Sequence, residues 1–118
     1  MPQNSEHEID PIGWNFAICA GFLALCLIRL TIPSAPYFDE VHYLPAARAL
    51  LDGSDWLNRE HPPLGKEILA LGIALFGDTP TGWRIFPLIA GVAALFAFMR
   101  AMWFAAQSRF ASIAYGIL

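Results

Sequence analysis

The sequence predicts an all-α, polytopic integral membrane protein: two spans, an external loop carrying interfacial helices, and the start of a third span. Three observations support that class. Of the 118 residues, 57% are hydrophobic and 14% charged, against about 45–50% apolar and 25% charged in soluble domains. Two apolar runs, 12–32 and 84–106, each reach the roughly 20 residues a helix needs to cross a bilayer core. Most ionisable side chains fall between those runs. The net charge of −3 comes with no basic patch, which speaks against a nucleic-acid partner.

Residues 1–11, "MPQNSEHEIDP", read as a polar cytoplasmic N-terminus. The first span, 12–32, places Trp14 at an interfacial belt and lets Arg29 snorkel from the far end. A cleaved signal peptide fits poorly, because no Lys or Arg precedes the apolar run and no A-x-A site follows it. A lipoprotein reading of Cys26 fails for the same lack of charge and because Leu25 is large. Cys19 and Cys26 lie seven residues apart on one helical face, so they read as small buried apolar side chains rather than a disulfide or metal pair. Pro33 and Pro36 end the helix by removing N–H donors and clashing with the preceding turn.

Residues 33–83 form the external loop. A helix is expected at about 43–52, with Pro45 in its first turn and Gly53 as its C-cap. The segment "DGSDWLNREHPP" then supplies turns and charge. The run 64–76, "LGKEILALGIALF", is thirteen residues long and reaches about 20 Å. It is expected to lie at the interface, with a short tilted span as the alternative. The second span, 84–106, has Trp83 and Trp103 near its ends and small residues (Ala90, Gly91, Ala93, Ala94, Ala97) suited to close helix contact. Arg100 and Arg109 place its C-terminal end in the cytoplasm by the positive-inside tendency. Residues 110–118 begin a third span and stop inside an apolar run. That ending predicts either the N-terminal piece of a longer protein or a truncated reading frame. No internal repeat or low-complexity tract is present.

Chemistry concentrates in the loop. "PYFDEVHYLPAARALL" brings Asp39, Glu40 and His42 together, and "NREHPPLGKE" adds Arg59, Glu60, His61, Lys66 and Glu67. A single Asp at such a place is most simply a helix N-cap or a solvated loop residue. The adjacent Glu40 changes that, since two neighbouring carboxylates in a partly dry site push one pKa upward. Acidic and basic groups concentrated beside a bilayer suit a lipid-linked anionic substrate. Asp39, Glu40, His42 and His61 could ligate a divalent ion, but their spacing matches no tight metal motif. No metal is therefore assigned.

"FDEVHY", then "HPPLGKEILALGIALFG", then "GWR", in that order behind one span, resembles the protein O-mannosyltransferase family, glycosyltransferase family 39 of the GT-C superfamily. The match runs from about Tyr37 to Arg84. The resemblance implies an inverting transfer of mannose from a polyprenyl- or dolichyl-phosphate donor to Ser/Thr hydroxyls of an acceptor protein. It implies Asp39 as the catalytic base with Glu40 beside it, and Arg84 as a group orienting the acidic pair or the phosphate. His42, His61 and Lys66 fall on matching positions and are expected to support the site. His61-Pro62-Pro63 has an equally good structural reading, as the break into the interfacial helix. Lys66 has one as a snorkelling interface lysine.

Beyond the lipid-phosphate sugar as donor substrate, no cofactor is implied. The resemblance also implies a multi-pass protein of the bacterial plasma membrane, or of the ER membrane in a eukaryote, with loop 33–83 on the external or lumenal side. Family enzymes are several times longer, with about ten or more spans, so this chain alone is expected to be inactive. Two alternatives stay open: a related transferase acting on a lipid or glycan acceptor, and a non-catalytic membrane subunit or transporter fragment. Transporters place polar groups within their spans, whereas here those groups gather in the loop.

Overall fold

The structure, a computed structural model, describes residues 8–118. Most of the polar segment 1–11 therefore lies outside the described residues. All regular structure among them is helical, as expected: α1 Ile12–Ile28, α2 Glu40–Asp52, α3 Pro63–Phe76, α4 Pro80–Ala106 and α5 Arg109–Ile117. By length and composition α4 suffices to cross a membrane, while α1 is a shorter apolar helix of 17 residues. The chain divides into two compact units. One is Cys26–Ala90; the other joins the chain up to Leu25 with Gly91–Leu118.

Within Cys26–Ala90, α2 packs on α3 around Leu44, Ala47, Leu69, Ala70, Ile73 and Trp83. The buried positions of α3 include Lys66, Leu69, Ala70 and Ile73, the i, i+3, i+4, i+7 spacing of one helical face. Leu64, Leu71, Leu75 and Phe76 of the same helix are exposed. α2 ends where expected: Gly53 adopts a left-handed conformation at φ 64 and its N–H returns toward the last turn. Gly72 and Gly82 let α3 and the start of α4 approach backbone to backbone. A methyl group at Gly72 would overlap the Gly82 carbonyl oxygen.

In the other unit, Phe16 stacks on Phe96 with ring centroids 4.8 Å apart. Asn15 is fully buried, and its Nδ2 donates to Ser112 Oγ at 3.1 Å. Ser112 Oγ in turn donates to the Met99 carbonyl at 2.9 Å. Arg100 pairs with Asp10 through two oxygens, one of them at 2.7 Å. Buried polar groups are here partnered with one another, as an apolar setting requires. Ser108 caps α5 by accepting the Ala111 N–H at 3.3 Å. Both cysteines are free thiols.

Several boundaries differ from the sequence reading. α1 stops at Ile28, four residues short of Ile32, and the chain continues in 3₁₀-type turns from Cys26–Arg29 to Arg29–Ile32. α2 begins at Glu40 rather than near residue 43, so Pro45 lies inside the helix instead of in its first turn. The cause is a hydrogen-bonded turn at Tyr37–Glu40 that starts the helix early. α4 begins at Pro80, four residues before residue 84. Pro80 is well suited to a first helical position, and Thr79 Oγ1 accepts the Gly82 N–H at 3.4 Å. The small-residue stripe Ala90–Ala97 stays exposed, and close backbone approach occurs at Gly72 and Gly82 instead. Trp83 and Trp103, expected near the ends of the span, are buried against the rest of the chain.

Gly72→Ala is expected to destabilise the fold by about 1–3 kcal/mol, the usual cost of overpacking a close contact. Thermal unfolding in detergent reads this as a lower Tm. An unchanged Tm would mean the two backbones do not touch.

Candidate active site

The site is built from one turn and one arginine. Glu40 opens α2, and Arg84 sits in the first turns of α4 because that helix begins early at Pro80. The Arg84 guanidinium meets the Glu40 carboxylate as a fork, Nε to Oε1 at 2.6 Å and Nη2 to Oε2 at 2.7 Å. Its Nη1 also donates to the carbonyls of Leu30 at 2.9 Å and Pro33 at 2.8 Å, and Nη2 donates to Ala35 at 3.4 Å. A guanidinium has five N–H donors, and these contacts use all of them. Arg84 thus ties the segment after α1 to the start of α2.

Glu40 is as fully engaged. Besides the fork, its Oε2 accepts the Tyr37 N–H at 3.0 Å. The Arg84 hydrogen bonds hold its carboxyl below the ordinary value of 4.5; desolvation opposes them and the Tyr37 N–H adds to them. The upward shift expected from two adjacent carboxylates is therefore not seen at Glu40, where the bidentate arginine sets the direction. Asp39 is different. It precedes α2 with helical dihedrals, φ −64 and ψ −22, makes no side-chain cap bond, and is exposed.

Asp39, Glu40 and Arg84 line one side of a cleft of about 180 Å³, with Tyr43, Leu69, Trp83 and Pro87 completing it. Typical small-molecule pockets run to about 300–1,000 Å³, so this cleft suits part of a substrate. Of its charged lining residues, Asp39 has no ion-pair partner among the described residues, and apolar and aromatic residues make up the rest of the lining.

The remaining candidates lie apart from that cleft. Lys66 is 1% exposed and does not reach for the surface. Its Nζ donates to the carbonyls of Asn58 and, at 3.0 Å, of His61, and sits 5.0 Å from the Trp56 ring centroid. It gathers the 54–62 segment onto α3. His61 Nδ1 lies 2.8 Å from Asn58 Oδ1, and its ring meets Tyr43 edge-on at 5.5 Å. Tyr43 thereby links this knot to the cleft. His42 is exposed on the first turn of α2. Among the described residues, no group of three or more His, Cys, Asp or Glu side chains is placed to hold a metal ion.

One contributor was not singled out in the sequence. Asp78 accepts Arg48 Nε at 2.8 Å and Trp83 Nε1 at 2.6 Å, fixing the indole that forms a cleft wall. The available signal was its position two residues before Pro80, at the entry of a helix carrying Trp83.

Curated proteins similar to this chain share one name. A polyprenol-phosphate-mannose–protein mannosyltransferase of Corynebacterium glutamicum is 34% identical over 116 residues, covering 83% of this chain and 22% of the relative. The enzyme of that name from Mycobacterium tuberculosis is 39% identical over 74 residues, 58% of this chain and 14% of the relative. For Mycolicibacterium smegmatis the figures are 34% over 91 residues, 68% and 18%. The chain is homologous to the N-terminal part of these protein mannosyltransferases. It spans about a fifth of their length. No family model matches the chain, and no solved structure matches it. The mannosyltransferase homology covers the stretch that builds the cleft, since 83% of the chain aligns.

The lowered Glu40 pKa sets the sign of a pH effect. A depressed carboxyl contributes stability that is fully present above its unfolded value and lost as pH falls through the folded one. The Tm gap between wild type and Glu40→Gln is expected to be widest at neutral pH and to narrow below about pH 4. A gap that does not change with pH would show that the ion pair contributes nothing.

Proposed function

We propose that this chain forms the N-terminal part of an inverting glycosyltransferase that moves mannose from a polyprenyl-phosphate donor to Ser/Thr hydroxyls of proteins. The observation that carries the reading is the division of labour between the paired carboxylates: Glu40 is locked to Arg84, while Asp39, also lining the cleft, is exposed and has no side-chain hydrogen bond among the described residues. Homology to mannosyltransferases whose names specify that donor and a protein acceptor supports the substrate classes.

In this reading Asp39 accepts the proton of the acceptor hydroxyl as its oxygen attacks the anomeric carbon. The C1–O bond to the lipid phosphate breaks, configuration inverts, and the phosphate leaves with the electron pair. A serine or threonine hydroxyl is a weak nucleophile, so a positioned carboxylate is what the step needs. The cleft's size and its aromatic and apolar walls suit a hydroxymethyl or hydroxyethyl side chain rather than the whole lipid donor. Arg84 acts by holding Glu40 and the chain entering α2. Charge stabilisation of the leaving phosphate comes from groups other than Arg84, whose N–H donors are all engaged. His61 and Lys66 support the site through the Asn58 loop and Tyr43, while His42 is exposed and does not line the cleft.

We place α1 and α4 across the membrane, segment 33–83 outside, and α3 at the interface with Leu64, Leu71 and Leu75 toward lipid. The bacterial relatives favour the plasma membrane.

In the full-length gene product, Asp39→Asn is expected to lower transfer from labelled polyprenyl-phosphate mannose to a Ser/Thr peptide by about 10²–10⁴-fold, with membrane insertion unchanged. Wild-type rates would remove Asp39 as the base. Cysteines placed at both ends of 64–76 are expected to label from the outside. Labelling from opposite faces would make α3 a span and reverse the orientation of α4.

A further inference from the structure

Phe38, immediately before Asp39, has a left-handed backbone at φ 53. A bulky aromatic residue is an outlier in that region, which Gly or Asn enters readily. The residue is 74% exposed, so burial of the side chain is not what holds the backbone there. Bonds on either side do. The Tyr37 N–H donates to Glu40 Oε2 at 3.0 Å, and the Glu40 N–H donates back to the Tyr37 carbonyl at 3.1 Å. Together they close a loop around Phe38 and Asp39. Arg84 anchors that loop through Glu40 and, on the same guanidinium, through the carbonyls of Leu30, Pro33 and Ala35.

Asp39 already has helical dihedrals. Had Phe38 been helical too, α2 would have continued backward and the incoming chain would have wound over the aspartate. The left-handed residue breaks the helix at that point and folds the incoming chain onto Arg84. Strained backbone of this kind persists where its surroundings over-determine it.

We propose that Phe38 is a positioning residue: its left-handed backbone, closed by the Tyr37–Glu40 bonds, keeps the Asp39 carboxylate uncovered at the mouth of the cleft. The proposal rests on Asp39 acting as the base, as argued above. It assigns the backbone of Phe38, not its ring, as the functional feature.

The test is a substitution series in the full-length gene product, assayed with labelled polyprenyl-phosphate mannose and a Ser/Thr peptide. Phe38→Gly and Phe38→Asn accept positive φ and are expected to keep kcat within about threefold of wild type. Phe38→Ile, β-branched and poorly tolerated at positive φ, is expected to lose about tenfold or more in kcat with both KM values little changed. If the Ile variant does not accumulate in the membrane, Phe38→Ala against Phe38→Gly carries the same comparison. Both lack the ring and only Ala disfavours the left-handed backbone, so Ala is expected to be several-fold slower. Gly and Asn variants as impaired as Ile, with raised KM, would overturn the proposal and make the ring a substrate contact. An Ile variant as active as wild type would overturn it as well. Asp39→Asn run alongside separates the two levels: if it stays active the catalytic reading fails, whereas an inactive Asp39→Asn with a flat Phe38 series overturns only the role of Phe38.

Discussion

The fork between Arg84 and Glu40 is the constraint on which the rest of the site depends. It joins residues 44 positions apart and brings the start of α4 against the start of α2. The same guanidinium takes three carbonyls from the connection leaving α1, so one side chain orders a stretch with no regular structure of its own. An arginine suits this task because its planar donors satisfy several acceptors at once and stay charged when partly buried. Truncating either partner would leave the other carrying a half-buried, uncompensated charge, which is far more costly than losing an exposed surface pair. The Arg48–Asp78 pair, about 40% exposed on both sides, matters less for its Coulomb energy than for the indole that Asp78 holds.

That constraint also separates two chemically similar groups. Asp39 and Glu40 are adjacent in sequence, yet one carboxylate is used for structure and the other stays open. The left-handed turn at Phe38 achieves the separation by sending the preceding chain toward Arg84. A cleft walled by Tyr43, Trp83, Leu69 and Pro87 then presents one unpaired negative group. In the proposed mechanism that group takes the proton of a neutral hydroxyl. The Arg84 N–H donors are all engaged, so in that mechanism groups other than Arg84 hold the phosphate.

Composition and periodicity carried the all-α class, the apolar runs and the glycine that ends α2, because each rests on local chemistry. The motifs "FDEVHY" and "GWR" contain Asp39, Glu40, Tyr43, Trp83 and Arg84 of the cleft, whereas no residue of "HPPLGKE" lines it. Helix starts were less legible. Glu40 begins α2 early through bonds to Tyr37 and Arg84, and no local pattern announces a partner that distant. Lys66 read either as a site-supporting residue or as a snorkelling interface lysine; two loop carbonyls and Trp56 draw it inward, an arrangement visible only once the Asn58 turn has formed. The small-residue stripe of α4 suggested helix contact on spacing alone, whereas the close approach of Gly72 to Gly82 has no such pattern to announce it.

The most direct measurement is a double-mutant cycle of Glu40→Gln and Arg84→Gln in the full-length protein, reading both Tm and the rate of mannosyl transfer. If the fork is what orders the site, Glu40→Gln costs much in the wild-type background and almost nothing once Arg84 is gone. Losses that simply multiply would mean the two residues act independently, and the ordering of the site would have to come from elsewhere.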